Sequence, residues 1–106
     1  MKPLDLNSEI TASIKVDDKE FIIPDDIPID VIIMGEEIQN KKDLKAIAQA
    51  CKDYLFEVLK VKNKPDEVEH FIDTLGYNKL LKVINYINEF YAEINKSEPL
   101  KKKETT

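Results

Sequence analysis

A chain of 106 residues, 42% hydrophobic and 35% charged, has the size and composition of one globular domain. Its 16 basic residues are all lysine, set against 21 carboxylates for a net charge of −5, so the bidentate fork that reads phosphates and guanine edges is missing. With one cysteine, one histidine and two glycines, the chain lacks an intramolecular disulfide, a multidentate Cys/His metal site and a glycine-rich phosphate loop.

The first ten residues mix Lys2 with Asp5 and Glu9 and hold no continuous apolar run, unlike a secretory signal. From Ser8 onward, Ile10, Ala12, Ile14 and Val16 recur with a period of two, the mark of a strand with one buried face. Asp17-Asp18-Lys19 comes next as a turn, and Glu20-Phe21-Ile22-Ile23 forms a second strand stopped by Pro24. A β-hairpin is therefore expected over about 8–23. Two strands are marginal alone, so the hairpin must lean on the rest of the chain.

Residues 24–40 support two readings. Asp25-Asp26 before Pro28 suits the opening of a short helix that ends near Gly35, with Ile29, Ile32 and Ile33 on one face. Ile29-Asp30-Val31-Ile32-Ile33 is also rich in β-branched residues, as a third strand would be. The helix is preferred. The apolar run Val31-Ile32-Ile33-Met34 is the longest in the chain and falls far short of the ~20 residues a transmembrane helix needs.

The remainder reads as helix. Asn40 with Asp43 resembles a capping box, and Leu44, Ile47, Ala48, Cys51, Leu55, Val58 and Leu59 recur at steps of three and four, which predicts a helix over 41–61. Pro65-Asp66-Glu67 opens another over 65–75, with Val68, Phe71, Ile72 and Leu75 as its buried stripe and Gly76 as its C-cap. Leu80, Ile84, Ile87, Tyr91 and Ile94 mark a last helix over 78–95, with more apolar surface than one neighbour covers. Residues 96–106 carry no pattern, include Lys101-Lys102-Lys103 and are expected to be a flexible, solvated tail. The expected class is α+β: one domain over 1–95, with an N-terminal hairpin, a short connector helix and a mainly α, three-helix remainder.

Little in this chain points to catalysis. His70 has only Glu67 and Asp73 at helical spacing, which reads as a surface histidine before it reads as a metal ligand. Cys51 sits mid-helix on the apolar stripe, the place of a small core residue rather than of an activated thiolate. The lone cysteine fits a reducing, cytoplasmic setting. Between Asp17 and Glu37, eight carboxylates face Lys19 alone, a local charge of −7. That stretch reads as a solvated acidic face, or as a docking face for a basic partner; its order does not match a calcium loop. Gly76 between two amphipathic segments also has the look of a helix-turn-helix, but the second segment offers Asn78, Lys79, Lys82 and Asn85 without arginine, in an acidic domain.

Aromatic residues crowd the last two helices: Phe71, Tyr77, Tyr86, Phe90 and Tyr91. Those left outside the core would make an apolar, aromatic contact patch.

In the order of its features the chain resembles the small tail assembly chaperones of long-tailed phages and prophages. The resemblance is carried by the strand pair ending in Phe21-Ile22-Ile23-Pro24-Asp25-Asp26-Ile27-Pro28, the acidic apolar connector, and Phe71-Ile72-Asp73-Thr74-Leu75-Gly76 leading into Leu80-Leu81-Lys82-Val83-Ile84. It covers about residues 8–95 and is one of size, order and texture. It implies a cytoplasmic, non-enzymatic protein that coats the tape measure protein, recruits tail tube protein, self-associates, and uses no cofactor, nucleic acid or membrane. Many proteins of that family are made in two lengths through a ribosomal frameshift, and Lys101-Lys102-Lys103 can be encoded by the adenine run that such a shift needs. A groove for an amphipathic helix would then be lined by Phe71, Tyr77, Ile84, Ile87, Phe90 and Tyr91. Only two methionines, Met1 and Met34, are present to lend such a groove adaptability.

Overall fold

Alternating apolar residues on either side of Asp17-Asp18 pair as expected in the computed structural model, which describes residues 12–96. Strands β1 (Ala12–Val16) and β2 (Lys19–Ile23) form an antiparallel hairpin in the register Ala12↔Ile23, Ile14↔Phe21 and Val16↔Lys19. Asp17 adopts φ 55° in the turn, the one non-glycine residue with positive φ among those described. The left-handed region is one that Asp tolerates better than most side chains. Residues 8–11 of the expected hairpin, and 97–106 of the expected tail, lie outside the described residues.

Four helices succeed the hairpin: α1 (Ile29–Glu37), continued by a 3-10 turn at Ile38–Asn40, then α2 (Leu44–Leu59), α3 (Pro65–Asp73) and α4 (Tyr77–Lys96). The chain is α+β with a mainly helical body. The β-branched run 29–33 is helix, not a third strand. Its second apolar stripe, Val31, Met34, Gly35 and Ile38, has the i, i+3, i+4, i+7 spacing that lets a short helix lie on α2.

Four local readings shift. Pro28, not an aspartate, is the N-cap of α1, its carbonyl accepting from the Val31 and Ile32 amides at 3.0 and 3.3 Å. Asp43, rather than Asn40, caps α2, and its carboxylate accepts from the Ala46 amide at 3.2 Å. Leu44 lies in the exposed first turn beyond that cap, 62% accessible, instead of in the core. Gly76 does not terminate α3. That helix ends at Thr74, whose hydroxyl donates to the Phe71 carbonyl at 2.6 Å. Gly76 instead supplies the carbonyl that receives the Leu80 amide at 2.9 Å and so opens α4.

The core is one cluster in which Cys51, Tyr54, Leu55, Val58 and Leu59 of α2 are enclosed by Val68, Phe71 and Ile72 of α3 and by Leu80, Ile84 and Ile87 of α4. Burial pushes the Cys51 thiol up, which keeps it protonated and unreactive. Phe21 and Ile23 anchor the hairpin in this core, and two specific contacts add to it. Phe21 stacks on Phe71 with centroids 4.7 Å apart and planes 21° from parallel. Asn63, in the α2–α3 loop, brackets the outer edge of β2: its amide oxygen accepts from Ile22 N at 3.0 Å, and its amide nitrogen donates to Ile22 O at 2.9 Å. One carboxamide thereby pairs both backbone groups of an edge-strand residue, as a neighbouring strand would.

Gly35 is required by close packing. A Cβ there would lie 2.8 Å from Cε1 and 3.1 Å from Cζ of the buried Tyr54 ring. Gly35→Ala gains about 1 kcal/mol of helix propensity, against an overpacking cost of about 1–3 kcal/mol. We expect a net loss of about 1 kcal/mol, read as a lower urea midpoint at unchanged m-value.

Candidate functional site

The six residues expected to line a groove do not share a surface. Phe71, Ile84 and Ile87 are core residues, 4%, 7% and 0% exposed. They are committed to holding α2, α3, α4 and the hairpin together. Tyr77 is exposed at the start of α4, whereas Phe90 and Tyr91 are half-buried near its other end. The two groups lie thirteen helical positions apart, about 20 Å. The groove reading is corrected accordingly: the apolar stripe of α4 is broad because the helix packs on several elements, not because it is left open.

What α4 does build is one wall of a cleft at its C-terminal end. Tyr91 reaches across to the segment after β2, its hydroxyl donating to the Pro24 carbonyl at 2.7 Å. Around that bond, Asp25, Asp26 and Ile27, the α1 residues Ile32, Gly35 and Glu36, then Tyr54, Asn88 and Ile94 enclose a cleft of about 330 Å³. Its floor is apolar and phenolic, its rim carries carboxylates, and no lysine lines it. Burial pushes the Tyr91 phenol well above its ordinary range, reinforced by Tyr54, Asp25 and Asp26, and burial also raises Tyr54.

A phenol whose folded pKa lies above its unfolded value of about 10 contributes stability that is complete below pH ~10 and is lost as pH rises toward the folded value. Replacing Tyr91 with Phe removes one such group and its hydrogen bond to Pro24. At neutral pH we expect a loss of about 1 kcal/mol. The further drop in urea midpoint between about pH 9.5 and 11 becomes smaller than in the parent chain.

Sequence reading missed the main exposed apolar feature, the outer face of α1. Ile29, Ile32 and Ile33 are 73%, 45% and 45% exposed, whereas Val31 turns inward. Residues 29–34 are apolar nearly all round the helix, so periodicity alone does not say which stripe is buried. The available signal was the carboxylates: Asp30, Glu36 and Glu37 resist burial, which ties the neighbouring isoleucines to solvent.

His70 is exposed near the end of α3. Among the described residues no group of three or more His, Cys, Asp or Glu side chains is arranged to hold a metal ion, and no helix is long and apolar enough to cross a membrane. The chain matches no protein-family model, no curated protein and no solved structure.

Proposed function

We propose that this protein is a non-enzymatic assembly chaperone of the phage tail type, which binds the tape measure protein and tail tube protein in the cytoplasm of a bacterial host and self-associates, without cofactor, nucleic acid or membrane. The observation that carries this reading is the isoleucine face of α1 on an acidic domain. Three large aliphatic side chains stand in solvent beside Asp30, Glu36 and Glu37, a combination suited to holding an apolar-faced segment while keeping the complex soluble. The order of hairpin, acidic connector and helices supports the same reading.

Co-expression with a long helical tape measure protein is the direct test. The chaperone reading expects that protein to move from the pellet to the soluble fraction together with this chain; an unchanged distribution defeats it. The second reading, a helix-turn-helix regulator, draws on the short Thr74–Gly76 connection between α3 and α4. A gel shift at low salt, where phosphate attraction is least screened, separates the two: retention of duplex DNA favours the regulator, and free migration favours the chaperone.

A further inference from the structure

From the continuity of the α1 face with the acidic cleft, we infer that this surface docks a basic, apolar-faced helical segment of a partner protein, which lays its apolar stripe on Ile29, Ile32 and Ile33 and places a long cationic side chain in the cleft beside Asp26 and Glu36. This rests on the proposed function and deepens it by stating the chemistry of the bound segment.

Ile32 joins the two halves of the site, since it belongs to the exposed stripe of α1 and also lines the cleft. The stripe runs at i, i+3 and i+4, the spacing at which one helix presents a ridge to another. At nine residues, α1 is about 13 Å long, enough to seat between two and three turns of a partner helix. The cleft of about 330 Å³ is at the small end of ligand sites and suits a side-chain anchor. Lysine and arginine fit its layering, because their methylene stems cover apolar surface while their charged ends seek carboxylates.

Charge complementarity selects the occupant. The cleft and the α1 face carry the carboxylates Asp25, Asp26, Asp30, Glu36 and Glu37, and no basic residue lines the cleft. A second copy of this chain, paired through the same face about a two-fold axis, would set Asp30, Glu36 and Glu37 against their own counterparts. A cationic partner meets no such repulsion.

Two labelled helical peptides test this on the full chain by fluorescence anisotropy and amide shift mapping: one of leucine and lysine in amphipathic order, and the same peptide with glutamate in place of lysine. The expected result is saturable binding of the lysine peptide only, with shifts concentrated at residues 26–36. Affinity should weaken about tenfold or more in Ile29→Ser/Ile32→Ser and in Asp26→Lys/Glu36→Lys. These positions are exposed in whole or large part, and an unchanged circular dichroism spectrum verifies the fold of each variant. Absence of saturable binding, equal affinity for the glutamate peptide, undiminished affinity in either variant, or shifts centred elsewhere overturns the proposal. If a tape measure protein is nevertheless solubilised on co-expression, the chaperone reading stands and only this site is wrong. If the peptide binds as stated but solubilisation fails, the docking surface stands without that function.

Discussion

Phe71→Ala is expected to cost about 3–5 kcal/mol, the range for removing a buried aromatic ring, and to lower the urea midpoint by more than any single change on the exposed helix faces. Phe71 is one of the side chains through which the hairpin and the helical body share a core, its ring lying against Phe21 of β2 at 4.7 Å. Its loss opens a cavity between elements that cannot close without dragging the hairpin inward. For a domain whose whole stability is of order 5–15 kcal/mol, this is a large fraction. Tyr77→Ser, on a residue that is 40% exposed, should cost well under 1 kcal/mol. The pair of variants separates the two roles that the aromatic crowding of residues 71–91 suggests. A small loss at Phe71 would mean that the ring is not part of the shared core.

Asn63→Asp is expected to cost about 1–2 kcal/mol at neutral pH. The native carboxamide donates to two carbonyls, Ile22 O at 2.9 Å and Leu59 O at 2.7 Å, while its oxygen receives the Ile22 amide. A carboxylate keeps the acceptor and reverses the donor, so both carbonyls then face negative charge. Protonation restores one donor, so folding favours the neutral acid and raises its pKa above the unfolded value of about 3.9. The stability that depends on that proton is complete below pH ~3.9 and is lost as pH rises through the folded value. Urea midpoints for the parent chain and Asn63→Asp should thus draw together at low pH and separate toward neutrality. A constant offset across that range would show that the loss does not depend on the carboxyl proton, and coincident midpoints would show that the edge pairing carries no net stability.

Several elements were legible in the sequence because their signals are local. Alternation of Ala12, Ile14 and Val16 places one strand face, Asp17-Asp18 the turn, and the spacing of Cys51, Leu55, Val58 and Leu59 the inward face of α2. Pro65 with Asp66 and Glu67 marks the start of α3 where it occurs. Helix ends were less legible. A carboxylate or glycine near a boundary satisfies several positions, and only the hydrogen bonds decide among them: Asp43 rather than Asn40 before α2, and Gly76 opening α4 rather than closing α3.

The candidate site depended on information that no local window contains. Periodicity marked Phe71, Ile84 and Ile87 as one apolar series with Tyr77, Phe90 and Tyr91, but it does not say how many neighbours a helix has. The first three are enclosed, and the rest part toward opposite ends of α4. By itself the sequence determined the order of hairpin and helices, the absence of arginine and the concentration of carboxylates over residues 17–37, since these derive from residue identity and spacing. The carboxylates of α1 hint at its solvent side, but the tertiary structure decided which stripe is covered: Gly35 lies close against the Tyr54 ring, Val31 faces inward, and Ile29, Ile32 and Ile33 stand in water. That contact joins residues nineteen positions apart, beyond the reach of any helical or strand period.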